Sequence, residues 1–233
     1  MKNKIAITNF DFETQRADPD NLINVWIPEI EAAAEVYVKD DRFLAFLLAG
    51  LRLGGRFKTV KGLRLTDIVK TAGYSRSTFF RIFGGRPRFL CKGYQLTCLL
   101  WVKVYAKYLN QQELNLDDFC KFTMDVFYGA SCSVPNEVLL AVWREHNGTH
   151  STFHPHLAEL ATVIHSYLGQ NRETQHLKID TTELDAVLRS LDLIVVNARL
   201  EDSDLWRTPL YYNTLSKMLK GYLSTCICPA AYR

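Results

Sequence analysis

The chain has 233 residues, 48% hydrophobic and 23% charged, with a formal net charge of +3. That length and balance suit one large globular domain or two small ones, and exclude a disordered or collagen-like chain. No apolar run approaches the roughly 20 residues of a membrane-spanning helix, so no membrane association is expected. Lys2 and Lys4 lead into Asp11 and Glu13 without an intervening apolar stretch, unlike a secretory leader. Six cysteines, at 91, 98, 120, 132, 226 and 228, include no Cys-x-x-Cys pair. The expectation is a cytoplasmic protein with reduced thiols.

Residues 1–40 read as an N-terminal extension. Asp18-Pro19-Asp20 has the composition of a turn, and Pro28 opens a short helical stretch over 29–35. Leu44, Leu47, Leu48 and Leu51 recur at i, i+3, i+4 and i+7, which predicts an amphipathic helix ended by Gly54-Gly55. Residues 64–83 follow, punctuated by Gly84-Gly85 and Pro87. Further helices are predicted over 89–109, 116–128, 135–145, 156–168, 183–200 and 210–223. Turn-type stretches at 129–133, 147–148 and 169–172 lie between some of them. No alternating strand pattern competes, so the fold class is all-α.

Charge is unevenly distributed. Residues 42–90 hold eleven Lys or Arg against one acid, Asp67, a formal +10 that leaves −7 for the remainder. Such a segment is the electrostatic footprint of a polyanion-binding module, although a basic run by itself is also what a solvated face looks like. Here it encloses a helix-turn-helix pattern. Leu65, Ile68, Val69 and Ala72 form the apolar stripe of a short helix, and Gly73 sits where the chain leaves it. Ser75 is placed to cap the next helix. Phe79, Ile82 and Phe83 bury one face of that second helix, which leaves Arg76, Ser77, Thr78 and Arg81 outward. The second helix of such a unit enters the DNA major groove.

The run Asp67-Ile68-Val69-Lys70-Thr71-Ala72-Gly73-Tyr74-Ser75-Arg76-Ser77-Thr78-Phe79-Phe80-Arg81-Ile82-Phe83 resembles the signature of the TetR-type transcriptional regulators. That signature reads Asp-Ile-Ala, two variable residues, Ala-Gly-Val-Ser, two variable residues, Thr-Leu-Tyr, a basic residue, His-Phe, and a Lys shortly after. The likeness covers residues 41–90. It implies a three-helix DNA-binding domain over 41–90, followed by a helical effector-binding and dimerisation domain over 91–233. The implied partners are a double-stranded palindromic operator, a small apolar or aromatic effector and a second copy of the chain, with no cofactor. By resemblance, Ser75, Ser77, Thr78 and Arg81 fall where the family contacts phosphates or bases, and Arg86 falls where its Lys grips a phosphate. Arg64, Thr66 and Arg76 complete the DNA-facing set. Phe80 departs from a Tyr, Ile82 from a His, and Arg64 from a capping Thr. Arg64, with Lys58 and Lys61, is a source of replacement cationic contacts.

The stretch 89–143 is rich in aromatics, which at helical spacing make core as readily as pocket. The resemblance implies that some line an effector cavity, with Cys98, Trp101, Tyr105, Phe122, Phe127 and Trp143 as candidates. Leu184, Val187, Leu188, Leu191, Ile194, Val195 and Ala198 make one heptad-like stripe, and Leu210, Tyr211, Thr214, Leu215, Met218, Leu219 and Tyr222 a second. In a monomer both are core; by resemblance they pair across a two-fold axis, with Leu184, Leu188, Leu191, Val195, Leu215 and Met218 at the dimer interface.

His146, His150, His154 and His156 invite a metal reading, but Asn147-Gly148 and Pro155 favour a solvated loop, and no metal site is assigned. No nucleophile-elbow, zinc-protease, P-loop or dinucleotide fingerprint occurs, so no catalytic residue is assigned and the protein is not expected to be an enzyme. Two alternatives stay open: a small-molecule-binding or metabolic helical protein with a vestigial helix-turn-helix, and a histidine-based metal-sensing regulator.

Overall fold

The computed structural model describes residues 19–54, 63–133, 136–145, 156–201 and 208–226. These form an all-α fold without a β-strand. In chain order the helices are α1 (Pro19–Tyr37), α2 (Asp41–Gly54), α3 (Leu65–Ala72), α4 (Arg76–Phe83), α5 (Arg86–Leu109), α6 (Leu116–Ser133), α7 (Asn136–Glu145), α8 (His156–Gln170), α9 (Thr181–Leu200) and α10 (Pro209–Thr225). Among the described residues no helix is long and apolar enough to cross a membrane.

Local chemistry sets several of the boundaries. Asp40 Oδ1 accepts from the amides of Arg42 (2.9 Å) and Phe43 (3.1 Å) as α2 begins, and the Phe43 amide above all holds its carboxyl below the usual carboxylate range. Asp180 Oδ1 caps α9 in the same way, accepting from Thr182 N (2.7 Å) and Glu183 N (3.0 Å). Thr208 Oγ1 caps α10 through Tyr211 N (3.3 Å).

Three expected boundaries are corrected. Pro19 opens α1 rather than making a turn, because a first-turn proline lacks only an amide that has no helical partner anyway. Pro28, expected to start a helix, lies inside this one, where tertiary packing outweighs the lost hydrogen bond. The turn expected over 129–133 is instead the last part of α6.

Two cores organise the helices. The smaller joins α2, α3 and α4 to the start of α5 through Phe46, Ile68, Phe79, Phe83 and Phe89. Phe89 lies 5.3 Å from the Phe79 ring centroid and 5.0 Å from that of Phe83, within the range of favourable aromatic pairs. Gly50 admits this ring to α2, since a Cβ there would stand 2.8 Å from Phe89 Cζ. The larger core gathers α5, α6, α8, α9 and α10 around residues such as Tyr105, Leu109, Phe119, Ile164, Leu188 and Leu219.

Helix α1 joins α2 to α5. Ile30 and Ala34 are buried against Leu47 of α2 and against Leu100 and Val104 of α5. Glu31 takes both Nε (2.8 Å) and Nη2 (3.3 Å) of Arg52, and Glu29 pairs with Lys107 at 3.0 Å. These ion pairs are solvent-facing and add little energy. Burial of Ile30 is therefore what seats the helix. Ile30→Ala should lower unfolding stability by about 2–5 kcal/mol, read from urea denaturation; an unchanged midpoint would mean that α1 is not part of the cooperative fold.

Candidate functional site

Helices α3 and α4 are joined by Gly73, Tyr74 and Ser75. Gly73 adopts φ 74°, a left-handed conformation that only glycine reaches without Cβ strain, and its amide donates to Lys70 O (3.3 Å). Ser75 Oγ then accepts from Thr78 N at 3.2 Å and caps α4. The hydroxyls of Ser77 (2.7 Å) and Thr78 (3.0 Å) bond to the same oxygen, so three hydroxyls form one cluster at the helix start. Arg64 occupies the cap position of α3 without a side-chain bond to the helix, which frees its guanidinium.

The sequence-expected residues divide cleanly by exposure. Arg64, Thr66, Ser75, Arg76, Ser77 and Arg81 are exposed, whereas Thr78 and Arg86 are partly buried. Phe79 and Phe83 are sealed beneath α4, with Ile82 half-buried beside them. Lys70 of α3 and Arg88 near the start of α5 are also exposed, and Asp67 is partly covered. An outward surface of cations and hydroxyls on a rigid aromatic base can engage a polyanion. Lys58 and Lys61 lie outside the described residues. Phe80, which is not among the sequence-expected contact residues, stands exposed on α4.

The interior candidates do not form one set. Trp101, Phe122 and Phe127 pack against the larger core, where Tyr105 is buried. The Tyr105 ring stacks on Phe122 at 5.7 Å, and its hydroxyl bonds to Thr123 Oγ1 at 2.8 Å. Trp143 belongs elsewhere, beside Cys91, Leu139, Val142 and Val196. Cys98 sits near Tyr94 and Asp192; removal from water pushes its thiol up to about 12, offset by the Tyr94 hydrogen bond and reinforced by the Asp192 charge. Tyr94 is raised well above its ordinary value, chiefly by burial, while Arg199 opposes the rise. Asp192 and Arg199 of α9 are both buried, at 3% exposure each. Sequence reading missed this polar group, because charges seven residues apart on an amphipathic helix resemble a solvated face.

The dimer stripe needs correction. Leu184, Leu188, Leu191, Val195 and Leu215 are all buried in the single chain, in the larger core, and so are not available to a second copy. Their apolar area is already covered within the chain, where α9 packs chiefly on α8 and also on α7 and α10, and α10 packs on α6. Of the six expected interface residues only Met218 is exposed. On α10 the buried line is Tyr212, Leu215, Leu219 and Leu223, so the outward line holds Leu210, Thr214, Met218 and Gly221 instead.

His146, His150 and His154 lie outside the described residues. His156 starts α8, and burial, with Arg189 nearby, depresses its imidazole to about 4. No family model matches the sequence, and no curated protein or solved structure matches it.

The turn between α3 and α4 generates a direct test. Nothing lies within 4 Å of where a Gly73 Cβ would stand, so Gly73→Ala should cost backbone strain alone, about 1–2 kcal/mol. Gly73→Asn should cost less, since Asn tolerates the left-handed region. Thermal unfolding that ranked the two variants equal to wild type would remove the left-handed turn from this account.

Proposed function

We propose that this protein is a homodimeric, TetR-like transcriptional regulator that binds a palindromic DNA operator and responds to a small apolar or aromatic effector. The observation that carries the reading is the α3–α4 unit: a left-handed Gly73, a Ser75 cap and exposed Arg64, Arg76 and Arg81 over a sealed phenylalanine base. In this reading α2, α3 and α4 are the DNA-binding domain and α4 is the recognition helix, with its N-terminal residues toward the base edges. Ser77, Thr78 and Arg86 position the backbone, and Arg76 and Arg81 read bases.

The effector region is the space around Trp101, Tyr105 and Phe122, where stacked rings suit an apolar ligand. Helix α5 gives that ligand a route to the DNA-binding end, since Phe89, four turns before Tyr105 on the same helix, packs on Phe79 and Phe83 of α4. A ligand that favours a mis-spaced pair of α4 helices lowers operator affinity by its differential binding free energy.

The dimer in this proposal uses the outward faces of α9 and α10. Leu193, Leu210 and Met218 are exposed there, beside small Ser190 and Gly221. The two helices are already tied together by the Tyr211 hydroxyl donating to Ile194 O at 2.7 Å. Two copies then read two half-sites one helical turn apart, about 34–36 Å, or a multiple of it.

Selection of genomic duplex fragments by the purified protein tests the reading. Binding should weaken steeply with salt, and Arg76→Ala or Arg81→Ala should each cost about 1–3 kcal/mol of operator affinity. A base-reading arginine relaxes preference at one position, while a phosphate contact weakens all sequences alike. The alternative, a small-molecule-binding protein with a vestigial unit, requires no salt-dependent duplex binding at all. For the dimer, the double variant Leu193→Lys, Met218→Lys should sediment as a folded monomer with reduced operator affinity. A variant that stayed dimeric would move the interface away from α9 and α10.

A further inference from the structure

Phe80 presents an apolar ring where every neighbour on the exposed side of α4 is polar. Its side is 49% exposed. At about 100° per residue around a helix axis, the outward arc runs in the order Arg76, Phe80, Ser77, Arg81, so the ring lies within the arc with an arginine toward either edge. Phe79 braces it from beneath, edge to face at 5.8 Å and 87°, and Phe79 itself is fully buried. The ring thus rests on Phe79 with about half of its residue's surface open to solvent. It carries no hydroxyl, so it cannot hydrogen-bond a phosphate. Of the groups on the major-groove edges of the four base pairs, the apolar one is the thymine C5-methyl.

We propose that Phe80 is a specificity-determining residue that selects a thymine in each operator half-site by packing its ring against the C5-methyl group. This rests on the DNA-binding reading above and adds a base to it. Arg76 and Arg81 flank the ring and set its register over the groove, and the phenyl then distinguishes thymine from cytosine by a methyl group rather than by a hydrogen bond.

The test replaces each thymine of the selected operator in turn with deoxyuridine, which removes only the methyl. Wild-type protein should lose about fourfold in affinity at one thymine per half-site, the loss expected for one buried methyl. Phe80→Ala should bind the unmodified operator more weakly and show no further loss at that position, while Phe80→Leu should retain part of the methyl sensitivity. Circular dichroism melting checks that the variants fold, and the deoxyuridine scan of wild type stands without them. Salt-dependent duplex binding with a flat deoxyuridine profile overturns this inference and leaves the regulator reading in place, as does a Phe80→Ala variant that keeps the full methyl effect. Absence of any duplex binding by wild type overturns both.

Discussion

Helix α5 is continuous from Arg86 to Leu109, a rod of about 36 Å at 1.5 Å per residue, and its two ends are locked into different cores. Near its start, Phe89 is buried among Phe46, Phe79 and Phe83; near its end, Tyr105 and Leu109 are buried with the helices of the larger core. No loop intervenes between these anchor points. A rigid element held at both ends transmits displacement, because packed interiors shift between discrete arrangements instead of deforming smoothly. Gly50 is the sequence detail that permits the first anchor, since any side chain there would collide with the Phe89 ring. Helix α1 adds a second tie beside it, with Ile30 and Ala34 seated on both α2 and α5.

The charge pattern follows from the same division. On α3 and α4 Ile68, Phe79 and Phe83 face inward, while Phe80 and the cations are left outside. Farther along the chain charged side chains point inward instead: Asp125 of α6, which accepts from the Tyr212 hydroxyl, and two residues of α9. Asp192 and Arg199 are buried in α9 near Tyr94 and Cys98 of α5. Opposite charges in a low-dielectric interior are tolerable only near one another and hydrogen-bonded, and add little net stability even then. Their place beside Tyr94 and Cys98 marks where α9 comes near α5.

The outward faces of the last two helices follow from which of their residues the core buries. Because Leu184, Leu188, Leu191 and Val195 are buried in the larger core, Leu193 is left exposed, and on α10 Leu210 and Met218 are exposed for the same reason. A charge at Leu191 would therefore unfold the chain before it tested any association, whereas one at Leu193 or Met218 leaves the core intact.

Helix positions were largely legible in the sequence because they rest on short-range physics: apolar spacing, a glycine that ends a helix, a serine that caps one. Gly73, Ser75, Phe79 and Phe83 occupy the roles their residue types dictate. The exceptions were local signals overruled by packing. Pro28 sits inside a helix because α1 is held by its contacts with α2 and α5, and Gly129 falls within α6. What the sequence alone determined is the all-α fold, the basic segment and the register of the α3–α4 turn. Which side of α9 and α10 faces inward, and that two of its charges go with it, was decided only by tertiary structure: a heptad stripe satisfies a partner in the same chain and a partner in another equally well, and only the arrangement of the remaining helices distinguishes them.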